Sequence, residues 1–330
     1  MNIQVQDSHG LARAMAQANA DRNPVASIDL GSLNRILKYS PEDMTVTVQA
    51  AMNLMDLQSH LADAGQWLPL DPPFAENWTM RGLIDDNPSG PRRCASGTLR
   101  DYVIGMELVR ANGELIKSGG QVVKNVAGFD LCKLFIGAHG SLGVMTSVTF
   151  KLLPLPEKEV ICCCRIPNVE ELTSILKLLQ AMHGSALPAI MDVYRAEGQS
   201  GVGTLLVGFN GNRQAVEESS AAALGAGLSF ETYNTWERHG AKAGLPELDY
   251  NRQFWADRSW REGTIESVRR SRLPALIERL PSGTPFVARL GQGTLYHSGH
   301  RITEPSARPR SLEMRMKQQF DPHGILPDLP

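Results

Sequence analysis

Between Asn77 and Val144 glycine recurs at positions 82, 90, 97, 105, 113, 119, 120, 128, 137, 140 and 143. Glycine loses more conformational freedom on folding than any other residue, so such density is costly unless the main chain itself has a use. Without a β-carbon the backbone reaches positive φ and brings its N–H groups close to a ligand, and successive N–H groups can form an anion-binding nest. A single glycine loop is usually only a turn. A long succession of them, punctuated by Pro69, Pro72, Pro73, Pro88 and Pro91, reads as main chain shaped around something extended.

The flanking sequence supplies the elements that would hold such loops. Leu11–Asn19 is an Ala-rich helix candidate, Thr45–Ala50 alternates as a strand does, and Met52–Ala64 reads as a helix ended by Gly65. Tyr102–Val109, a hairpin turn at Ala111–Glu114 and a returning strand at Leu115–Lys117 come next. A short helix at Asp130–Ile136, a tight loop at Gly137–Gly143 and a strand at Val144–Leu153 complete the first half. Pro154-Leu155-Pro156 marks a composition shift, so residues 1–156 and 157–330 are expected to be two domains. In the second, Val169–Met182 and Asn212–Leu224 read as helices, and Ala189–Tyr194 and Thr204–Phe209 as strands. A strand and then a helix are expected within Thr264–Leu280, a last strand at Pro285–Leu290 and a final helix at Ser311–Phe320. This mixture predicts a small antiparallel sheet covered by helices.

Bulk properties exclude several function classes. The 33 basic and 35 acidic residues nearly cancel, leaving a net charge of −2. No strong field of either sign draws the chain to nucleic acid or an anionic membrane. No stretch approaches the ~18 consecutive apolar residues of a membrane span, and Met1–Gly10 has no apolar signal core. The five cysteines, Cys94, Cys132 and the run Cys162-Cys163-Cys164, include no paired CxxC motif, so zinc and iron–sulfur sites are not encoded. The run lies in a strand-like segment, Val160–Ile166, where cysteine acts as a small hydrophobe; a reducing cytoplasm suits it. His297 and His300 sit in a glycine-flanked segment without a neighbouring carboxylate, so no metal site is expected there.

Two stretches carry the chemistry. One is Asp86-Asn87-Pro88-Ser89-Gly90-Pro91-Arg92-Arg93 with Ser96-Gly97-Thr98-Leu99-Arg100-Asp101. The other is Val123-Lys124-Asn125-Val126-Ala127-Gly128-Phe129-Asp130-Leu131, continuing through Lys133-Leu134-Phe135-Ile136-Gly137 to Gly140-Ser141-Leu142-Gly143-Val144. In this order the motifs resemble the FAD-binding (E) subunit of glycolate oxidase, of the vanillyl-alcohol-oxidase type. The likeness runs from about Leu30 to Pro156, is weak from Glu157 to Ala288, and returns at Arg315–Leu326.

The resemblance implies an α+β chain: a PCMH-type FAD-binding fold of two α/β subdomains followed by an α+β cap domain. Its cofactor would be FAD. Pro72 in the loop Leu70–Pro73 would run beside the flavin. Thr79 and Gly82, Ser89 and Gly90, and Gly97 and Thr98 would hold pyrophosphate and ring, and Gly140, Gly143 and Val144 the adenosine end. The implied partners are a catalytic D-type flavoprotein subunit and an iron–sulfur subunit, the implied substrate a small 2-hydroxy acid, and any membrane association would be through those partners. No residue stands out as the substrate base. Arg92 and Arg93 suit a phosphate or carboxylate by bidentate hydrogen bonding and equally suit the surface. Lys124 suits an ion pair as well as a flavin contact, and His139 suits a local backbone contact.

Departures from the family pattern cluster at the phosphates. Asn19–Val25 runs directly into Ala26–Leu30 without the glycine-rich loop that would cradle pyrophosphate. Arg81 replaces a glycine, and Asp85 and Asp86 place two carboxylates near the anion. Besides an FAD-binding redox subunit, the alternatives are a scaffold subunit that has lost FAD and a stand-alone FAD-dependent oxidoreductase.

Overall fold

The structure, a computed structural model, describes residues 1–120, 131–181, 187–225, 230–238, 245–256, 263–303 and 310–329. Strand β1 (Asn2–Gln4), helix α1 (Ser8–Ala20) and strand β2 (Ser27–Asp29) form a small unit in which the two strands pair in parallel. Leu11, Met15 and Ala18 recur at helical spacing and are fully buried, and the Asp7 carboxylate accepts from the Gly10 amide at 2.6 Å to cap the helix.

A hairpin follows, β3 (Ile36–Ser40) with β4 (Thr45–Gln49), then α2 (Leu54–Ala62), whose N-cap Asn53 accepts from the Met55 and Asp56 amides. Leu54, Leu57 and Leu61 make its buried face, each stabilising the fold by about 1.5–3 kcal/mol of apolar burial. Beyond β5 (Gln66–Trp67) come three short helices, α3 (Met80–Asp86), α4 (Arg93–Ser96) and α5 (Leu99–Tyr102). Next are β6 (Val103–Val109), β7 (Leu115–Gly119), α6 (Cys132–Phe135), β8 (Val144–Lys151) and β9 (Leu153–Pro154). Five of these strands form an antiparallel sheet in the order β3-β4-β8-β6-β7. The expected strands at Thr45–Ala50, Tyr102–Val109, Leu115–Lys117 and Val144–Leu153 are all in it. Thr79 and Gly82, which the resemblance puts at the cofactor, form the N-cap and first turn of α3, with Thr79 accepting from the Gly82 amide at 3.1 Å. Arg81, Gly82 and two aspartates had hidden that helix.

The second sheet is larger than expected. Strands β10 (Lys158–Ile166), β11 (Ile190–Arg195), β12 (Gly203–Gly211), β13 (Glu231–Glu237), β14 (Thr264–Ser267), β15 (Phe286–Arg289) and β16 (Thr294–His297) join in the order β13-β10-β12-β11-β15-β16-β14. Every pairing is antiparallel. The strand expected to be last, Pro285–Leu290, is followed by β16, whose four residues sit between Gly293 and Gly299 and carry too little alternation to be read alone. Polar β13 was missed for the same reason, its residues running Glu-Thr-Tyr-Asn-Thr-Trp-Glu at a sheet edge. Helices α7 (Val169–Ala181), α8 (Arg213–Gly225) and α10 (Leu273–Glu278) cover one face, and α9 (Asp249–Ala256) covers part of the other.

Strand alternation divides the residues of this sheet cleanly. Val160, Cys162, Cys164, Ile166, Val193, Phe286 and Ala288 face α7, α8 and α10. Ile161, Ile190, Leu206, Val287 and Tyr296 face the other way, toward Leu248, Tyr250, Phe254 and Trp255. Burial pushes the Cys162 thiol up to about 11 and the Cys164 thiol up to about 12, so both are protonated packing groups. The closing helix α11 (Arg310–Phe320) and its tail return to the first sheet: Ile325 and Leu326 join that core, and Lys317 donates to the Ser141 carbonyl at 3.0 Å.

Candidate functional site

Two of the glycine loops, at Gly90 and Gly97, meet at a groove bounded by Pro69–Asp71, Asn87–Gly90, Arg93 and Gly97–Leu99, with a volume of about 10 Å³. Local rules set its walls. Asn87 closes α3 in the left-handed region at φ 47°, a conformation that asparagine tolerates, and Pro88 prevents the helix from continuing. A β-carbon on Gly90 would overlap the carbonyl oxygen of Asp71, so two main chains touch there and only glycine fits. Gly97, at φ 85°, turns the chain between α4 and α5, and Asp101 accepts from the Thr98 amide at 2.7 Å and its hydroxyl at 2.8 Å. Tyr102 donates its hydroxyl to the Ser96 carbonyl, and Arg93 donates to the Ser89 hydroxyl at 3.2 Å. Ser89, Gly90, Gly97 and Thr98, four of the residues singled out on sequence, therefore stand around one groove.

The other candidates fall elsewhere. Gly140 lies with Arg81 and Asp85, its missing β-carbon 3.7 Å and 3.6 Å from their side chains. Arg81 donates to Asp85 at 3.1 Å and to the Ile28 carbonyl at 3.3 Å, bridging α3 to β2. Burial pushes the Asp85 carboxyl up against the pull of Arg81. His139, at φ 49°, meets Asp86 at 3.0 Å through Nδ1. Thr79 and Gly82 satisfy each other at the start of α3. Gly143 packs against Leu108, Val109 and Phe135, and Val144 is buried in the same core. Pro72 lines a separate cavity, of about 400 Å³, on the other side of Leu70 and Asp71. The stretch Val123–Asp130, with Lys124, lies outside the described residues.

Behind the groove is a buried charge network that sequence reasoning did not assemble. Arg92, 1% exposed, donates to Glu159 through Nε at 2.7 Å and Nη2 at 2.6 Å, to Asp71 through Nη1 at 3.2 Å, and to the Pro246 carbonyl at 2.9 Å. Burial disfavours its charge, yet Glu159 and Asp71 outweigh that and raise its pKa. Asp71 itself is pushed up to about 6 by burial, with Arg92 pulling the other way. A second cluster lies alongside: Arg289 donates to Asp192 and, at 2.6 Å, to Asn251, while Tyr250 donates to Asp192. Burial raises the Asp192 carboxyl despite Arg289. Period-two alternation was the available signal. Glu159 shares the Ile161 side of β10, Asp192 the Ile190 side of β11, and Arg289 the Val287 side of β15, so all three charges leave one sheet face toward the first half.

His297 is fully buried with Nε2 2.8 Å from Glu266, and its Nδ1 accepts from the Gly299 amide at 3.1 Å. The carboxylate missing near it in sequence arrives from β14. Burial raises the Glu266 pKa, but amide donors from Thr303 and Ile302 together with His297 bring it down to about 2. Among the described residues no group of three or more His, Cys, Asp or Glu is placed to hold a metal ion.

The groove, at about 10 Å³, has room for roughly one water molecule, so it offers contacts to the edge of a flavin nucleotide and not space for its ring. The two ends of the arrangement differ. At the groove the Ser89 and Gly90 main chain and the Arg93 guanidinium line the wall, with no β-carbon at Gly90 or Gly97, while the Gly97 and Thr98 amides are already spent on the Arg93 carbonyl and the Asp101 carboxylate. At the far end Gly140 keeps the main chain open, but Arg81 supplies a side-chain cation where the family pattern has bare backbone, and Asp85 and Asp86 stand beside it.

Residues 9–119 match the family described as FAD binding domain. The chain is 38% identical over 138 residues to glycolate oxidase subunit GlcD of Bacillus subtilis, covering 42% of this chain and 29% of that protein. It is 37% identical over 131 residues to glycolate oxidase subunit GlcE of Escherichia coli, covering 39% of this chain and 37% of that one. A D-lactate dehydrogenase of Anaerostipes hadrus is 30% identical over 224 residues, 61% of this chain and 46% of the relative. The chain thus spans less than half the length of these curated relatives. Among solved structures, alkyldihydroxyacetonephosphate synthase superposes with a TM-score of 0.68 over 98% of this chain and 75% of its own, at 16% identity. The fold is the mixed α and β fold shared with that synthase, and residues 9–119 match the FAD binding domain family.

Proposed function

We propose that this protein, an FAD-binding-domain chain, works as the flavin-carrying subunit of an enzyme complex that oxidises a 2-hydroxy acid such as glycolate. The observation that carries this reading is the meeting of Ser89, Gly90, Gly97 and Thr98 around one groove in front of the Asp71–Arg92–Glu159 network. In this reading residues 1–156 form the cofactor-binding unit and residues 157–330 the cap. The main chains at Ser89–Gly90 and Gly97–Thr98 and the Arg93 side chain hold the flavin end, and Gly140 and Arg81 the phosphates and adenosine. Pro72 braces the loop that separates groove from cavity. When bound, FAD supplies hydride-accepting chemistry for the substrate's α-carbon. The protein's own contribution is rigidity. Arg92 ties the loop at Asp71 to β10 across the two halves, Asp101 fixes Thr98, and Tyr102 fixes the end of α4.

Among the described residues no side chain is poised as a free base at the groove: His139 is engaged with Asp86 and His297 with Glu266. This supports an electron-handling or assembling role beside a catalytic flavoprotein subunit and an iron–sulfur subunit. The glycolate oxidase relatives are each named as subunits, which supports a multisubunit complex. Free cysteines suit a cytoplasmic setting, and among the described residues no helix is long and apolar enough to cross a membrane. A second reading, a scaffold that keeps the fold without FAD, is favoured by Asp85 and Asp86 at the phosphate end.

Visible absorbance of the purified protein, before and after FAD addition and gel filtration, separates these readings. Retained flavin bands are the expected result. A colourless chain that still captures a D-type flavoprotein supports the scaffold, and glycolate turnover by the isolated chain overturns both.

A further inference from the structure

The cavity of about 400 Å³ on the far side of Leu70 and Asp71 is not part of the flavin groove. Its walls come from both halves of the chain: Leu54 and Gln58 of α2, Trp67, Pro72, and Leu248 and Asn251 at the start of α9. Its size lies in the range of small-molecule sites, about 300–1,000 Å³, and such sites typically combine apolar walls with a few polar groups.

The polar atoms around it are mostly used up. Gln58 spends both ends of its amide on the Leu68 main chain. Arg92 is held by Glu159 and Asp71, and Arg252 by Glu76 at 2.6 Å and Glu247 at 2.6 Å. Among the described residues two wall donors are left. Asn251 is fully buried, its Oδ1 accepts from Arg289, and its Nδ2 has no partner. Trp67, 6% exposed, has an indole Nε1 without a partner. Buried donors are ordinarily satisfied, and an unmet one calls for an explanation.

The geometry points to a second ligand site here, for a neutral, largely apolar molecule carrying carbonyl-type acceptor oxygens that take the Asn251 and Trp67 N–H groups. An anion is disfavoured because every guanidinium on the wall is already matched by carboxylates, and Asp71, Glu76 and Glu247 would face it. A plain hydrocarbon would leave both donors unmet. This site is independent of whether the groove holds FAD.

Three matched probes test it by ligand-observed NMR titration: 1-tetralone, tetralin, and 1,2,3,4-tetrahydro-1-naphthoate. The ketone is expected to bind at least ~10-fold more tightly than the hydrocarbon or the anion, the ratio that a tenfold change in an equilibrium constant represents. Trp67→Phe removes one donor at nearly constant shape and weakens ketone binding several-fold while leaving tetralin unchanged. Ala75→Phe fills the cavity and abolishes binding; Met55→Trp, on the exposed side of α2, does so without touching the buried core. Equal binding of ketone and hydrocarbon, preference for the anion, no binding of any probe, or binding unaffected by both filling variants overturns the proposal.

Discussion

Two hollows flank the loop Leu70–Asp71–Pro72, and they are built by opposite means. The groove on one side is walled by main chain at Gly90, Gly97 and Thr98 and encloses about 10 Å³. The cavity on the other is walled by side chains and encloses about 400 Å³. A main-chain wall has its donors fixed by backbone geometry, so what it can hold is decided by where side chains are missing. A side-chain wall is decided by which polar atoms remain unpaired. The partition between them is Asp71 and Arg92, and the fate of both hollows depends on how firmly it stands.

Removing the partition's anchor is the largest perturbation. Arg92→Met leaves Glu159 buried with, among the described residues, only Asn210 at 3.2 Å as a side-chain partner, and breaking a buried pair from one side costs about 3–5 kcal/mol. Chemical denaturation should register that loss. A change within ~1 kcal/mol, the scale of an exposed ion pair, would mean that the Arg92 network does not hold the two halves together.

Asp71 sharpens the comparison through pH. Its folded pKa of about 6 lies above the ordinary carboxylate value. The folded state therefore binds the proton more tightly than the unfolded chain, and stability falls as pH rises from about 4 to about 6. A two-unit shift corresponds to about 2–3 kcal/mol. Denaturation midpoints of Asp71→Asn across that window should be flatter than those of the parent. Identical slopes would show that Asp71 stays ionised throughout.

The smallest effect is at the phosphate end. Asp85→Asn removes one carboxylate beside Arg81 and should strengthen FAD binding by a few-fold, on the scale of ~1 kcal/mol for a partly exposed charge, as read by flavin fluorescence titration. Unchanged or weakened binding would mean that Asp85 serves the site by orienting Arg81.

How far the sequence foretold this varies with the physics. Alternation made β4 legible, and Ala-rich composition made α1 legible before its buried face of Leu11, Met15 and Ala18 was seen. The groove was partly legible because glycine has few reasons to be dense: Ser89, Gly90, Gly97 and Thr98 do meet. Gly143 and Val144 do not join them, since a glycine beside Leu108 and Phe135 relieves core crowding as readily as it admits a ligand. The Arg92–Glu159 pair spans 67 residues, and the Arg289–Asp192 pair 97. No local pattern announces a partner that far away. Only the parity of Glu159, Asp192 and Arg289 along their strands hinted that three charges share a face, and that hint needed the sheet order to become a site.

Titration of FAD against the intact chain and against Gly97→Val, followed by quenching of flavin fluorescence, tests the main-chain groove most directly. A valine there would be strained at φ 85° and would press on the Asp101 carboxylate. Saturable binding of one FAD per parent chain, lost in the variant while its far-ultraviolet circular dichroism stays native, is the predicted result. Equal binding by the two proteins, or none by either, would contradict it.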